Sequence, residues 1–151
     1  MRAKKRKIIV LAAFTLFLAI LLIIRQFLGF IFVQGISMEP TYQSGDLLFI
    51  NKATDSYRVD DVIVFEESGT LYVKRIIGAP GDQIELVNGC VYRNGMKLSQ
   101  YWCEQDKEII SLNENQFFVI GDNFQNSIDS RDFGPVELCQ IDGRVFRYSN
   151  N

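Results

Sequence analysis

Thr70-Leu71-Tyr72-Val73-Lys74-Arg75-Ile76-Ile77-Gly78 is the stretch on which the fold turns. It is rich in β-branched and aromatic residues and ends on glycine, as a strand does. Successive side chains of a strand leave on opposite faces. Tyr72, Lys74 and Ile76 therefore share one face, and Val73, Arg75 and Ile77 the other. Lys74 has an aromatic and a branched aliphatic neighbour on its own face. Burial in such surroundings lowers a lysine pKa because it penalises the charged form. Most strand lysines are solvated surface charges, and Lys74 taken alone fits that reading as well.

Working outward, runs of similar composition occur at 46–51 (DLLFIN), 61–66 (DVIVFE) and 116–121 (QFFVIG). Ser44-Gly45-Asp46, Ser68-Gly69 and Ala79-Pro80-Gly81-Asp82 punctuate them as turns. Residues 91–93 and 96–98 flank Asn94-Gly95, a strong hairpin signal, and 143–148 reads as a closing strand. No segment beyond residue 33 has a sustained helical period. The pattern predicts a mostly β body, one compact antiparallel domain of about 115 residues, enough for a single core.

The first 25 residues differ. Arg2, Lys4, Lys5, Arg6, Lys7 and Arg25 have no acidic residue among them, and 8–24 is an apolar run interrupted only by Thr15. Seventeen helical residues span about 25 Å, a little short of a ~30 Å hydrocarbon core. Arg25 can snorkel and 27–33 adds apolar length. A cleaved signal peptide shares the basic start, but the run is long and no small-x-small pattern follows it. The expected organisation is a cytoplasmic basic stub (1–7), a transmembrane anchor (8–28) and an extracytoplasmic β-rich domain (29–151) with a small β excursion over 83–115. Five basic residues ahead of the anchor place the N-terminus in the cytoplasm. The remaining 10 basic residues face all 18 acidic ones, a charge of −8 on the body. That lacks the basic footprint of a nucleic-acid binder.

Cys90, Cys103 and Cys139 then lie in an oxidising compartment. Their odd number cannot pair fully; Cys90 with Cys103 would close a short loop, and unbridged buried thiols read equally well. Their spacing matches no metal motif.

The chain contains no histidine. A Ser-His-Asp triad and any His-ligated metal are therefore excluded. Ser37, in Gly35-Ile36-Ser37-Met38-Glu39-Pro40-Thr41, needs another base to act as a nucleophile, and lysine is a known substitute. At the free-lysine pKa of ~10.4 only about 0.04% of amines are neutral at pH 7, so the pKa must fall by ~3 units for Lys74 to serve. A third segment, 121–136, reads locally as a polar loop in which Ser and Asx groups cap turns and Asp129 or Asp132 is available to Arg131.

Taken in order, these blocks resemble the type I signal peptidases, the bacterial leader-peptide endopeptidases, in their short single-anchor Gram-positive form. The blocks are S-M-E-P-T at 37–41, S-G-D at 44–46, D-D-V-I-V-F at 60–65, Y-V-K-R-I-I-G-A-P-G-D at 72–82, and G-D-N-x-x-x-S-x-D-S-R-x-F-G at 121–134. The resemblance implies the signal peptidase fold and a membrane-bound serine endopeptidase of the bacterial cell membrane, with no cofactor or metal. It implies that exported preproteins bind as extended strands with small residues, Ala-x-Ala, before the cut. It assigns Ser37 as nucleophile, Lys74 as general base, Ser127 as the hydroxyl that orients the amine, and the Ser37 N–H as oxyanion donor. Asp129 with Arg131, and Asp122 with Arg75, match ion pairs that shape the site.

Two positions depart from the family pattern. Gly35 stands where some members carry a serine that completes the oxyanion hole, and Phe124 stands where arginine is usual. Other readings of the same motifs are a self-cleaving repressor-type protease, which would carry a DNA-binding domain in place of the anchor, and a mitochondrial inner-membrane processing peptidase. A catalytically degenerate membrane-tethered β module is a further one; the joint presence of Ser37 and Lys74 stands against it.

Overall fold

The computed structural model describes residues 2–98, 101 and 107–146. Helix α1 (Arg2–Phe27) comes first, then eleven strands: β1 (Leu28–Phe32), β2 (Leu47–Asn51), β3 (Val62–Glu67), β4 (Thr70–Gly78), β5 (Gln83–Val87), β6 (Cys90–Arg93), β7 (Met96–Leu98), β8 (Lys107–Ser111), β9 (Gln116–Ile120), β10 (Val136–Glu137) and β11 (Ile141–Val145). A four-residue helix, α2 (Ser130–Phe133), lies between β9 and β10. The body is mostly antiparallel β, as the alternation at 70–78 implies.

Seven strands form the main sheet in the order β1-β2-β11-β3-β4-β9-β10, and four form a smaller one in the order β7-β6-β5-β8. Local chemistry sets much of this register. Ser68-Gly69, Asn88-Gly89 and Asn94-Gly95 all have positive φ at both residues. Such two-residue turns match the twist of the strands they join. The first closes the β3–β4 hairpin from Glu67↔Thr70 to Val62↔Arg75; the others close β5–β6 and β6–β7.

β9 joins the far side of β4 only from Arg75↔Ile120 onward. Among the described residues, 70–74 therefore keep one unpaired backbone edge. An unpaired edge is a template for another extended chain.

Three apolar clusters fill the body. One lies beneath β1 and β2 (Val33, Met38, Leu48, Ile50, Val64), one under β3, β4 and β9 (Ile63, Phe65, Ile76, Phe117, Val119), and one joins the two sheets (Ile77, Ile84, Leu86, Phe118, Ile120).

Two elements differ from the sequence reading. Residues 28–32, an apolar stretch at the expected boundary between the anchor (8–28) and the body (29–151), are not expected as a strand but form β1, paired with β2 from Leu28↔Asn51 to Phe32↔Leu47. Leu28, Phe30 and Phe32 point outward with Leu47, Phe49 and Phe146, all large apolar groups left exposed. Ile31, Leu48 and Ile50 pack inward. Apolar residues on both faces hide the strand period, so the run resembles a continued helix. The other is α2, where no helix is expected. The Asp129 side chain accepts from Arg131 N–H, and the Asp132 carboxylate accepts from Asp129 N–H. This reciprocal cap stabilises a turn too short to show periodicity.

The closing strand is Ile141–Val145; residues 147 and 148 of the expected strand lie outside the described residues. So does Cys103, and with it any pairing with Cys90. Cys139 is exposed.

Candidate active site

Ser37 sits in the turn between β1 and β2. Gly35 has φ of +86°, which turns the chain out of β1 at a position where a side chain would be strained. Glu39 N–H then donates to Ile36 O (3.1 Å) and Tyr42 N–H to Met38 O (2.9 Å). Met38 is 1% exposed and plugs the cluster beneath β1 and β2. The neighbouring Ser37 is thereby fixed at the surface of a rigid core.

Lys74 leaves β4 and is 3% exposed. Its Nζ donates to Ser37 Oγ at 2.6 Å and lies 5.7 Å from the centroid of the Tyr72 ring. Tyr72 stacks on Phe65 and packs against Phe133, a wall of three rings beside the amine. Burial brings the Lys74 pKa down to about 8. The Asp129 carboxylate pulls it upward, and the Arg131 guanidinium opposes that pull. At pKa 8 about one amine in ten is neutral at pH 7, some 250-fold more than for free lysine.

Asp129 is the hub beneath the amine. Arg131 grips it with Nε to Oδ1 and Nη2 to Oδ2, both at 2.8 Å. Gly121 N–H and the Ser127 hydroxyl donate to Oδ2, at 3.0 and 2.7 Å. A buried carboxylate needs donors of this kind. The Ser127 hydroxyl thus goes to Asp129; among the described residues the hydrogen bond of the Lys74 amine is the one to Ser37.

Asp122 holds Arg75 through Nε to Oδ1 (2.8 Å) and Nη2 to Oδ2 (2.7 Å). Arg75 Nη1 adds a bond to Asp60 O (2.9 Å). The Asp122 contact raises the guanidinium pKa further. Arg75 leaves the opposite face of β4 from Lys74, and the pair ties β4 to the segment after β9.

Three residues act here without having been singled out by the sequence. Asn123 donates its N–H to Ser37 O (2.9 Å) and its Nδ2 to Ile36 O (3.1 Å). Gly121 lets that approach happen: a Cβ there would lie 2.5 Å from Ser37 O and 2.3 Å from Ser127 Oγ. Ser130 Oγ accepts from Val119 N–H at 2.9 Å and moors α2 to β9. A glycine that admits a neighbouring carbonyl leaves no mark in sequence beyond being glycine. Phe124 is no loose end: its ring packs on the cluster joining the two sheets, and its carbonyl accepts from Arg131 Nη2 at 2.8 Å.

A groove of about 940 Å³ runs past these groups. Ile31, Val33 and Gly35 line it from one side and Leu71, Tyr72 and Val73 from the other, and Ser37 and Lys74 both reach it. The unpaired edge of β4 borders it. A buried amine of lowered pKa against a hydroxyl, beside a groove with free strand edge, can deprotonate the hydroxyl for attack on an extended peptide.

The chain as a whole is similar to known proteins. The family model described as signal peptidase, peptidase S26, matches residues 6–149. The chain is 39% identical to a signal peptidase I of Bacillus caldolyticus over 77% of its length and 76% of that protein. It is 32% identical to signal peptidase I S of Bacillus subtilis (strain 168), over 93% of its length and 88% of that protein. A crystal structure of a signal peptidase I from Enterococcus faecalis V583 aligns at 25% identity and a TM-score of 0.49, over 60% of this chain and 97% of the other.

Proposed function

The chain belongs to the signal peptidase family, peptidase S26, and from that membership we propose that Ser37 and Lys74 form the catalytic dyad of a membrane-tethered enzyme. The family activity is removal of signal peptides by a serine protease, and this chain is a signal peptidase I enzyme. The observation that carries the dyad is the 2.6 Å contact between Ser37 Oγ and a buried amine whose pKa falls to about 8.

In the reactive state Lys74 is neutral and the bond reverses direction: the hydroxyl donates to the amine lone pair. Ser37 Oγ attacks the scissile carbonyl, its proton passes to Nζ, and the same ammonium returns it to the leaving amine. The Ser37 N–H, which has no acceptor among the described residues, receives the oxyanion. Ser127 and Arg131 hold Asp129, so that its charge raises the amine pKa less than a free carboxylate would. Asp122 and Arg75 fix the segment that carries these groups.

Preproteins bind as an extended strand along the free edge of β4. Main-chain bonds give affinity, and the apolar walls of the groove accept small side chains at alternate positions. Over Lys5–Phe27, α1 is long and apolar enough to cross a bilayer. It passes directly into β1, whose exposed Phe30 and Phe32 continue the apolar surface into the body. In this reading the basic start lies in the cytoplasm and the body rests on the outer leaflet, with the groove near the exit of the signal peptide.

The test is cleavage of a preprotein by the full chain in detergent. Ser37→Ala and Lys74→Ala are each expected to lose at least 10³-fold in kcat. Lys74→Arg should be equally inactive, because a guanidinium stays protonated. Near-normal cleavage by any of the three would overturn the dyad.

A further inference from the structure

The oxyanion hole of this chain lacks a side-chain donor at position 35. Gly35 has no side chain to contribute, which leaves the Ser37 N–H. When Ser37 Oγ bonds to the scissile carbon, the carbonyl π pair moves onto oxygen and the hydroxyl proton goes to Lys74 Nζ. The charge on that oxygen then falls on one peptide N–H, whose orientation and donor strength matter correspondingly more.

That N–H belongs to the Ile36–Ser37 peptide unit, and the carbonyl of the same unit accepts from Asn123 Nδ2 at 3.1 Å. The next unit, Ser37–Met38, accepts from Asn123 N–H at 2.9 Å. One residue thus holds both peptide planes that meet at the Ser37 Cα. The Asn123 carboxamide is itself fixed, since its Oδ1 accepts from Asn126 Nδ2 at 3.2 Å. Asn123 also follows Asp122, which Arg75 clamps from β4.

We propose that Asn123 is the positioning residue of the oxyanion donor: its carboxamide orients and polarises the Ile36–Ser37 peptide unit so that the Ser37 N–H meets the developing charge. A hydrogen bond to the carbonyl of an amide draws electron density from its nitrogen, and linked hydrogen bonds strengthen one another. A donor held in place before the reaction costs no reorganisation during it. The backbone contact to Ser37 O survives substitution of Asn123 by Ala or Asp, whereas the side-chain contact to Ile36 O does not. The proposal rests on Ser37 being the nucleophile.

The experiment uses the full chain in detergent, a peptide substrate ending its signal part in Ala-x-Ala, and Asn123→Ala and Asn123→Asp. Two ligands of the same peptide sequence are compared, an aldehyde that forms a hemiacetal with Ser37 and the unreactive alcohol. The expected result is a fall in kcat of about tenfold or more, part of the ~10²–10³-fold that loss of a direct donor costs. KM should stay within about twofold, and aldehyde affinity should fall in step with kcat/KM while alcohol affinity holds. In Asn123→Ala the apparent pKa of kcat/KM should remain at the wild-type value, since the dyad is untouched. The aldehyde-to-alcohol ratio does not depend on the fraction of enzyme folded, so it decides even for a poorly folding variant. Equal weakening of both ligands, a rise in KM with kcat unchanged, or an altered pKa would overturn the proposal. Ser37→Ala serves as the reference: if it still cleaves, the nucleophile assignment has failed, whereas an inactive Ser37→Ala with an unchanged ligand ratio in the Asn123 variants rejects the positioning role alone.

Discussion

Lys74, the proposed general base, is buried at a cost to stability. Its amine titrates near 10.5 in the unfolded chain and near 8 in the fold. Between those values the unfolded state binds more protons, so stability rises with pH across that window. Below pH 8 the full cost applies, about 3 kcal/mol. Lys74→Met is therefore expected to be inactive yet more stable at pH 7 by about 1–3 kcal/mol, and to lose the stability gain between pH 8 and 10.5. Urea melts at pH 7 and pH 10 read both; a less stable variant at pH 7 would count against a lowered pKa. Ser127→Ala removes one donor from buried Asp129, leaving more of its charge to act on the amine. The apparent pKa of kcat/KM should then rise, with a several-fold loss of rate at pH 7 and little change at pH 9.5. The closeness of Ser37 and Lys74 was legible in the sequence through the family resemblance carried by the blocks at 37–41, 72–82 and 121–134. Asn123 and Gly121 were not, because they act on carbonyl groups that every residue possesses.

Residues 121–133 form the element on which the site hangs, and they are anchored from both sheets. Asp122 ties them to β4, Ser130 to β9, and the Phe124 ring to the cluster shared with the smaller sheet. Gly121→Ala would push a methyl group into Ser37 O and Ser127 Oγ. Overpacking of this kind costs about 1–3 kcal/mol, and the displacement falls on Ser37, the proposed nucleophile. The expected outcome is a drop in kcat of at least 10²-fold with a modest fall in Tm. Phe124→Ala opens a partly buried site at the junction of the sheets and should cost about 2–3 kcal/mol, whereas Phe124→Leu keeps most of the stability and rate. Thermal melts and kcat on one substrate separate the two effects. The β3–β4 and β6–β7 hairpins could be read from Ser68-Gly69 and Asn94-Gly95, since such turns encode register locally. β1 and α2 could not: one is apolar on both faces, and the other is too short to repeat.

Across the molecule, the apolar surface of α1 continues onto an exposed face of the main sheet. Phe30 is 70% and Phe49 59% exposed, directly opposite each other across β1 and β2. Isolated exposed apolar residues are ordinary, but a contiguous set marks a contact surface. In the proposed membrane-tethered arrangement that surface would meet lipid. The double variant Phe30→Ser, Phe49→Ser is expected to cut a membrane-inserted preprotein several-fold more slowly in vesicles, with cleavage of a short soluble peptide unchanged. An equal loss on both substrates would show damage to the site instead of to its contact with the membrane. All of these features bear on the proposed arrangement, a lysine of lowered pKa beside a serine in a groove next to an apolar helix long enough to cross a bilayer. The measurement that tests it most directly is the pH dependence of kcat/KM for the wild-type chain between pH 6 and 10.5. A rise with unit slope to a plateau is expected, through an apparent pKa near 8, the value burial gives Lys74. A rate independent of pH over this range, or one still climbing through pH 10 as an unperturbed lysine requires, would contradict it.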